Sequence, residues 1–359
     1  MKQKRFLIIG SFLFVLVLMI KFFSADSQRV EQDYSNGIYP FLSTFLRKVF
    51  GWIPFSIGDL LYGLIAVWIL WKIMVSIRVL ILKKATKKSF GTGVLKSIMA
   101  LLIIYVVFNI FWGINYNRKG ISGQLQLRIE KYNDNDLKNI NSQLLGKVNS
   151  TKQSLLSRHE SYPSSKQLFL KVQDAYSILD QTYPFLKYKT RSIKPSLWGW
   201  LGNYLGFTGY YNPFTGEAQV NTNLPGFIQP FTACHEVAHQ LGYAKEMEAN
   251  FVGFLAARTS ADTLLQYSVY LDLFLYSNRN LYRRDSVAAK TYSKQLIPEV
   301  KADLKEWKSF SQRYKNPFEP VFRWLYGKFL ERNEQPQGVL SYDEVTGFLI
   351  AYYKKFGKI

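Results

Sequence analysis

The chain has 359 residues but a single cysteine, Cys234, and only 3 histidines. One cysteine excludes an intramolecular disulfide framework and leaves the redox compartment open. The chain also lacks zinc-finger spacing, an aromatic and basic RNA-binding signature, and a phosphate-cradling loop among its 23 glycines. Nucleic acid is therefore not an expected partner, although the formal net charge is +21.

Much of that positive charge lies beside apolar segments, which is typical of the flanks of membrane helices. Lys2, Lys4 and Arg5 precede one such segment, and a lysine cluster at 83–88 lies between two others. Disorder is excluded by a hydrophobic content of 48% and an aromatic content of 16%, which suffice for a buried core. The length suits an anchoring region followed by one sizeable domain.

Three apolar runs come close to the ~20 residues that are needed to cross a bilayer core. These runs cover about residues 6–23, 60–81 and 98–114. The first is expected to remain uncleaved, because residues 24–26 make a poor signal-peptidase site. With the lysines inside, three spans predict a multi-pass anchor over 1–114 in the cytoplasmic (plasma) membrane and an extracytoplasmic domain over 115–359.

The domain after the third run is expected to be mainly α, with an α+β part in which a β-hairpin leads into a helix. Two short β-prone runs, 207–211 and 217–221, flank a turn that contains proline and glycine. Pro230 then opens a helix that Gly242 is expected to end. A strand pair therefore precedes the helix that carries the most informative motif.

That motif is His235-Glu236-Val237-Ala238-His239, the His-Glu-x-x-His arrangement of zinc peptidases. Residues four apart lie on one helical face, so both imidazoles can offer a nitrogen to one tetrahedral Zn²⁺. Glu236 lies about 100° around the helix from His235, where it can take a proton from zinc-bound water and pass it to a leaving amine. Two ordinary histidines at this spacing around a glutamate are a poor alternative in a chain with only 3 histidines.

Zinc requires a third protein ligand, and the next segment offers carboxylates. Lys245 stands where a metzincin would carry a histidine, and its ammonium group cannot coordinate a metal. Glu246 and Glu248 lie about 200° apart on the following helix, so only one of them can face the metal. Glu246 is the predicted ligand, since it shares a face of mostly small residues with Asn250, which is expected to hydrogen-bond a ligand. Glu248 is the alternative ligand, and His159 is expected to be a solvated residue far from the site.

Four other places in the chain suggest a role. The run 217–221 occupies the sequence position of an edge strand that binds extended substrate, although an ordinary hairpin is equally compatible. Tyr342, at an expected helix start, is a candidate hydrogen-bond donor to the oxyanion. Cys234 is expected to be a small buried thiol. Asp59 is expected at the membrane interface, with a functional acid inside the membrane as the alternative.

Together, His235-Glu236-x-x-His239 and Glu246-x-x-Ala249-Asn250 resemble the gluzincin branch of the zincin metallopeptidases. The ending of the second motif resembles both the membrane-embedded prenyl-protein and heat-shock endopeptidases and the peptidases that inactivate bacterial repressors. The resemblance implies a zincin-like fold, Zn²⁺ as cofactor and Glu246 as third ligand. The gap between the motifs is shorter than in those families and resembles the short glycine turn of metzincins.

The wider chain resembles an uncharacterised family of bacterial multi-pass membrane proteins that is catalogued as a domain of unknown function. The resemblance rests on Tyr39-Pro40, on Ile53-Pro54-Phe55-Ser56-Ile57-Gly58-Asp59, on the hairpin and on the metal-binding motif. It implies a bacterial membrane protein and no particular substrate.

The predicted function is that of a membrane-anchored zinc metallopeptidase acting on a protein or peptide substrate. The alternative is a non-catalytic zincin-like scaffold or a transport-associated protein of the membrane. Few charged residues interrupt the apolar runs, which argues against a translocation path. Glu236 favours the enzyme, because a purely structural zinc has no need of a base at that position.

Overall fold

The computed structural model describes residues 2–82, 86–158 and 161–359. His159 and two lysines of the predicted cluster, Lys83 and Lys84, lie outside the described residues. The helices are α1 (Lys2–Ser24), α2 (Ser27–Arg29), α3 (Tyr39–Phe50), α4 (Ile57–Ile81), α5 (Lys87–Phe111), α6 (Gly120–Gln124), α7 (Asp134–Ser157), α8 (Ser165–Thr182), α9 (Gly199–Leu205), α10 (Gln229–Gln240), α11 (Glu246–Thr259), α12 (Thr263–Arg284), α13 (Ser286–Lys294), α14 (Pro298–Arg313), α15 (Glu319–Arg332) and α16 (Val345–Phe356). The strands are β1 (Ile193–Pro195), β2 (Gly209–Asn212) and β3 (Glu217–Val220).

The N-terminal part contains the apolar helices. Two helices are long and apolar enough to cross a membrane, namely α4 and the Phe90–Phe111 part of α5. A third candidate span is a broken one, in which the helices Ile8–Ser24 and Ser27–Phe50 meet at an angle of 91°. The described residues therefore offer two candidate spans, or three if the bent pair counts as one. The last candidate span ends at Phe111 and not at residue 114, because the chain enters a tight 3-10 turn over Gly113–Asn117.

A small mixed sheet with the strand order β1-β3-β2 packs against α10. The central strand β3 is parallel to β1 and antiparallel to β2, so the expected hairpin is present. The prediction that 217–221 forms a substrate-binding edge strand is wrong, because β1 covers that side. β1 escapes prediction because Ile193-Lys194-Pro195 shows neither alternation nor a β-branched run.

The hydrophobic core lies among helices that precede and follow the sheet in the sequence. α7 packs along α12, and α10 packs along α11, with α8 and α16 closing the cluster. Asn133 and Ser164 begin α7 and α8 with reciprocal capping boxes, which satisfy free backbone N–H groups. The helix that was expected to begin at Tyr342 begins at Val345, and Tyr342 lies in a 3-10 turn over Gly338–Glu344.

The first turn of α4 is bonded to the sheet through a buried carboxylate. Glu217 in β3 accepts hydrogen bonds from the backbone N–H groups of Ile57 and Gly58, at 3.1 and 2.6 Å. Glu217 also forms an ion pair with Lys194 of β1, and both side chains are buried. Negative charge at a helix N-terminus is favourable, so Glu217 fixes the start of this apolar helix on the sheet.

Two more buried carboxylates join the N-terminal part to the rest of the chain. Asp59 in α4 accepts hydrogen bonds from the backbone N–H of Leu197 at 2.6 Å and from the hydroxyl of Tyr210. Asp59 is therefore covered by protein at the start of α4, and its expected position at the membrane interface stays a prediction. Glu31, after the bend, binds the guanidinium of Arg118 through two hydrogen bonds of 2.7 and 3.0 Å.

Candidate metal centre

Helix α10 carries the His-Glu-x-x-His residues, and the sequence sets both of its ends. Pro230 lies in the first turn, where its missing N–H has no intrahelical acceptor. Gly242 has a φ of +88°, a left-handed conformation that ends the helix and turns the chain toward α11. His235 and His239 lie one turn apart on a buried face, with ring centroids 4.6 Å apart.

Helix α11 approaches α10 closely and brings Glu246 to the two histidines. A Cβ atom on Gly253 would lie 3.2 Å from the backbone nitrogen of His235, so glycine permits this approach. Oε2 of Glu246 lies 3.2 Å from Nε2 of His235 and 3.5 Å from Nε2 of His239. The donor atoms of the three residues all lie within 4.8 Å of one another.

A hydrogen bond on the other ring nitrogen orients each imidazole. Nδ1 of His235 lies 2.8 Å from Oδ1 of Asn250, and Nδ1 of His239 lies 2.7 Å from the carbonyl oxygen of Tyr243. The amide of Asn250 is held in this orientation because its Nδ2 donates to the carbonyl oxygen of Tyr342 at 3.4 Å. Both partners of the imidazoles are acceptors, so each favours a proton on Nδ1 and leaves Nε2 directed at Glu246.

Residues from the C-terminal part surround Glu246. Tyr326 donates from its hydroxyl to Oε1 of Glu246 at 2.7 Å, and Oε1 of Gln335 accepts from the backbone N–H of Glu246 at 2.9 Å. Tyr342 lies next to Tyr326, with 3.4 Å between the hydroxyl oxygens, and its ring stacks on His235. Tyr326 and Gln335 could not be found from the sequence, because no spacing relates them to the motif and the chain has 24 tyrosines.

The segment that follows the last apolar helix forms another wall of the centre. Trp112 packs edge-on against His239, with ring centroids 5.8 Å apart. Tyr116 packs against both Trp112 and Phe329 of α15. Residues before and after the predicted boundary at 114 therefore enclose the same site.

Glu236 is buried at one side of the group, next to the edge strand β2. A Cβ atom on Gly209 would lie 2.7 Å from Oε1 of Glu236, so the glycine gives the carboxylate room. Oε2 of Glu236 has no hydrogen-bond partner among the described residues. Burial raises the pKa of Glu236 to about 8. The nearby His239 lowers this pKa, and the negative charge of Glu246 raises it.

Two of the candidates from the sequence lie outside the group. The carboxylate of Glu248 occupies the space where Gly120, with a φ of +70°, lacks a side chain. Burial raises the pKa of Glu248 to about 7, and its Oε2 also lacks a hydrogen-bond partner within the described ranges, yet no histidine converges on it. Cys234 is fully buried in the core, as expected of a small apolar side chain, and burial raises the pKa of its thiol.

The donor set fits a metal ion. Two imidazoles and one carboxylate are the nitrogen and oxygen donors found in catalytic zinc sites. Burial raises the pKa of Glu246, but the two imidazoles beside it outweigh this effect and hold the pKa well below its usual value. Oε2 of Glu246, the oxygen that faces both imidazoles, has no hydrogen-bond partner in the described part of the chain. The group can therefore hold a metal ion.

Comparisons with known proteins relate nearly the whole chain to one family. The family described as "Protein of unknown function (DUF3810)" matches residues 34–350, which include α4, α5, the sheet and the candidate metal centre. No curated protein and no solved structure matches the chain. Because the match covers far more than half of the residues, the chain belongs to this family of unknown function, DUF3810.

Proposed function

We propose that this protein is a membrane-anchored zinc metallopeptidase that hydrolyses peptide bonds. The observation that carries the proposal is the buried convergence of His235, His239 and Glu246 beside Glu236. Two carboxylate oxygens of this group, on Glu236 and Glu246, have no hydrogen-bond partner within the described residues. A buried acceptor without a partner costs about 1–3 kcal/mol, so the arrangement favours a bound ligand between these side chains.

In this proposal, Nε2 of His235, Nε2 of His239 and the carboxylate of Glu246 would hold Zn²⁺. Bound zinc supplies a water of lowered pKa and polarises the carbonyl of the substrate. Glu236 would accept a proton from the attacking water and deliver it to the leaving amine.

Tyr342 is the proposed donor to the oxygen that becomes negative when the substrate carbonyl is attacked. Burial raises the pKa of Tyr342 well above its usual value, so its hydroxyl keeps the proton that it has to donate. Tyr326 has a different role, since its hydroxyl already donates to Glu246 and orients that carboxylate.

The proposed substrate is an extended peptide or protein segment. β2 is an edge strand, and its Gly209 lies beside Glu236. A substrate strand that pairs with this edge through its main chain would carry its peptide bonds past the proposed base.

The proposed location is the cytoplasmic membrane, with the metal centre on the outer side. This orientation rests on the basic residues Lys2, Lys4 and Arg5 and on the cluster at 83–88, which favour the inner side if the chain crosses three times. Trp112 directly follows α5 and contacts His239, so the centre would lie close to the outer membrane surface.

A second candidate is a non-catalytic membrane scaffold with a structural zinc. One observation favours it, namely that the side chains of the group are closed off, with Glu236 and Glu246 each only 3% exposed. Structural zinc sites are closed, whereas catalytic sites keep one position open for water or substrate. The two candidates differ in their need for Glu236.

The test uses the full chain in lipid nanodiscs, because Trp112 and other residues before 115 contact the centre. Zinc content and cleavage of casein or a peptide library are measured for the wild type, Glu236→Gln, His239→Ala and the control Glu248→Gln. The proposal expects about one zinc per chain, lost in His239→Ala and kept in the other two variants. Cleavage should be lost in Glu236→Gln and His239→Ala but kept in Glu248→Gln. Zinc without cleavage would support the scaffold, and a wild type without zinc would contradict the metal centre itself.

A further inference from the structure

Helix α15 presents a broad apolar face that the described part of the chain leaves largely exposed. The face consists of Phe318, just before the helix, and Val321, Trp324, Leu325 and Phe329, which are between 40% and 73% exposed. At about 100° per residue, these five positions cover roughly 140° of the helix circumference. An exposed aromatic and aliphatic face of this width marks an interaction surface.

The same kind of surface continues on a neighbouring helix. Trp200 and Tyr204 lie one turn apart on α9 and are 53% and 43% exposed. The ring of Tyr204 packs against Tyr314, with centroids 5.1 Å apart, and Nδ2 of Asn316 donates to the carbonyl oxygen of Tyr204 at 2.6 Å. α9 and α15 also contact each other directly. The exposed side chains of α15 and α9 are called the aromatic face below.

Both helices lie against the same end of the candidate spans. Phe329 of α15 packs against Phe108 in the last turn of the α5 span, with centroids 6.2 Å apart. Trp198, just before α9, donates from Nε1 to the carbonyl oxygen of Asp59 at 2.9 Å, in the first turn of α4. α4 begins and α5 ends on one side of the membrane if both cross it. α9 and α15 are therefore at the level where the spans leave the bilayer.

The charge around the aromatic face suits a lipid surface. Residues 313–332 carry more basic than acidic side chains, namely Arg313, Lys315, Arg323, Lys328 and Arg332 against Glu319 and Glu331. Lys328 and Arg332 lie within the exposed arc, at the C-terminal end of α15. Tryptophan and tyrosine with flanking basic residues are typical of the boundary between headgroups and acyl chains.

We propose that α15 and α9 lie in the plane of the membrane surface, with the aromatic face inserted into the bilayer that α4 and α5 cross. Helices of this kind reach about 5–10 Å into the boundary between headgroups and acyl chains. The partner of the aromatic face is the bilayer, because Phe329 contacts α5 and Trp198 contacts α4. The aromatic face is therefore continuous with the helices that lipid surrounds in this proposal. Tyr326 on the covered side of α15 contacts Glu246, so this lipid-bound helix would also form a wall of the metal centre.

The test places a single fluorescent label at defined positions of the full chain in nanodiscs of phosphatidylcholine and phosphatidylglycerol. Val321→Cys and Leu325→Cys put the label on the aromatic face. Val287→Cys is the matched control, because Val287 is also an exposed valine on a helix, α13, which packs on α7 and α12. The only native cysteine, Cys234, is fully buried, and the unsubstituted chain reports any labelling there.

Two quenchers are compared on the same samples, bromine on the lipid acyl chains and iodide in the buffer. The proposal expects brominated lipid to quench the labels at 321 and 325 while iodide does not, and the reverse at 287. Iodide quenching at 321 and 325 equal to that at 287 would place the face in water and overturn the proposal. Protection from both quenchers would mean that protein covers the face, such as a second copy, and would also overturn it. Neither readout requires zinc or cleavage, so the result is independent of the proposed peptidase activity.

Discussion

Two regions of this molecule bury carboxylates, and the regions differ in the hydrogen-bond partners that they give to the carboxylate oxygens. Where α4 meets the sheet, Glu217 accepts hydrogen bonds from two backbone N–H groups, from Thr215 and from Lys194. In the candidate metal centre, one oxygen each of Glu236 and Glu246 has no hydrogen-bond partner among the described residues. Burial of an acid alone therefore does not distinguish a functional site from a structural junction.

What distinguishes the two regions is convergence. The donors around Glu217 all give hydrogen bonds, which neutralises its charge and completes its coordination by protein atoms. Around Glu246, two imidazole nitrogens and one carboxylate oxygen come together, and all of them can act as electron-pair donors. Glu248 shows that an unpaired oxygen is not sufficient, because its carboxylate meets backbone and not histidine. A metal cation fits among the electron-pair donors of the candidate metal centre, whereas hydrogen-bond donors of the protein already fill the surroundings of Glu217.

The largest effect is expected from Glu236→Gln, which removes the proposed base and keeps the size of the side chain. Loss of general acid and base catalysis lowers kcat by about 10²–10⁴-fold. Zinc content should remain that of the wild type, because Glu236 is not one of the three converging donors. Cleavage of a peptide library and metal analysis of the same preparation check both parts. An unchanged kcat would contradict the role of Glu236 as the base.

The approach of His235, His239 and Glu246 could be predicted because it is local. Helical geometry places the two histidines on one face, and a glycine turn returns the chain as the next helix. The choice between Glu246 and Glu248 needed only the angle between them and the small face that includes Gly253. All of these residues lie in consecutive segments, so their approach does not depend on the rest of the fold.

The surroundings of the centre could not be predicted, because they depend on contacts between distant segments. Trp112 and Tyr326 reach the centre from opposite ends of the chain, and neither belongs to a motif. The central position of β3 depends on pairing with β1, a strand of 3 residues with no strand pattern. Asp59 resembles an interfacial acid in the sequence, and only the contact of α4 with the sheet shows that protein covers it.

The next largest effect is expected on stability, at the junction where Glu217 binds α4 to the sheet. Glu217→Ala leaves the ammonium group of Lys194 buried without its partner, and breaking a buried ion pair in this way costs about 3–5 kcal/mol of stability. A lower melting temperature of the full chain in nanodiscs should report this loss. The double variant Glu217→Ala with Lys194→Met should recover part of it, because the uncompensated charge is gone. If the single variant melts like the wild type, the junction is not held by this pair.

A smaller effect is expected from Tyr326→Phe, which removes the hydrogen bond to Glu246 and leaves the carboxylate in place. Loss of a residue that orients a metal ligand typically weakens metal binding by about 10–100-fold. Competition with a chromophoric chelator measures the zinc affinity. Tyr342→Phe is the control, since its hydroxyl contacts Tyr326 and not Glu246, and it should lower kcat more than zinc affinity. Equal zinc affinities for both variants and the wild type would contradict the role of Tyr326.

The smallest effect is expected from Glu248→Gln, and its value lies in the contrast with Glu246→Gln. The two glutamates lie on the same helix, two positions apart, both are buried, and the chemical change is the same. They differ in direction, because Glu246 faces the histidines and Glu248 faces the backbone at Gly120. Zinc affinity, measured by the same competition, should fall strongly in Glu246→Gln and stay unchanged in Glu248→Gln. An equal fall in both variants would show that a disturbed α11, and not the loss of a metal ligand, explains the result.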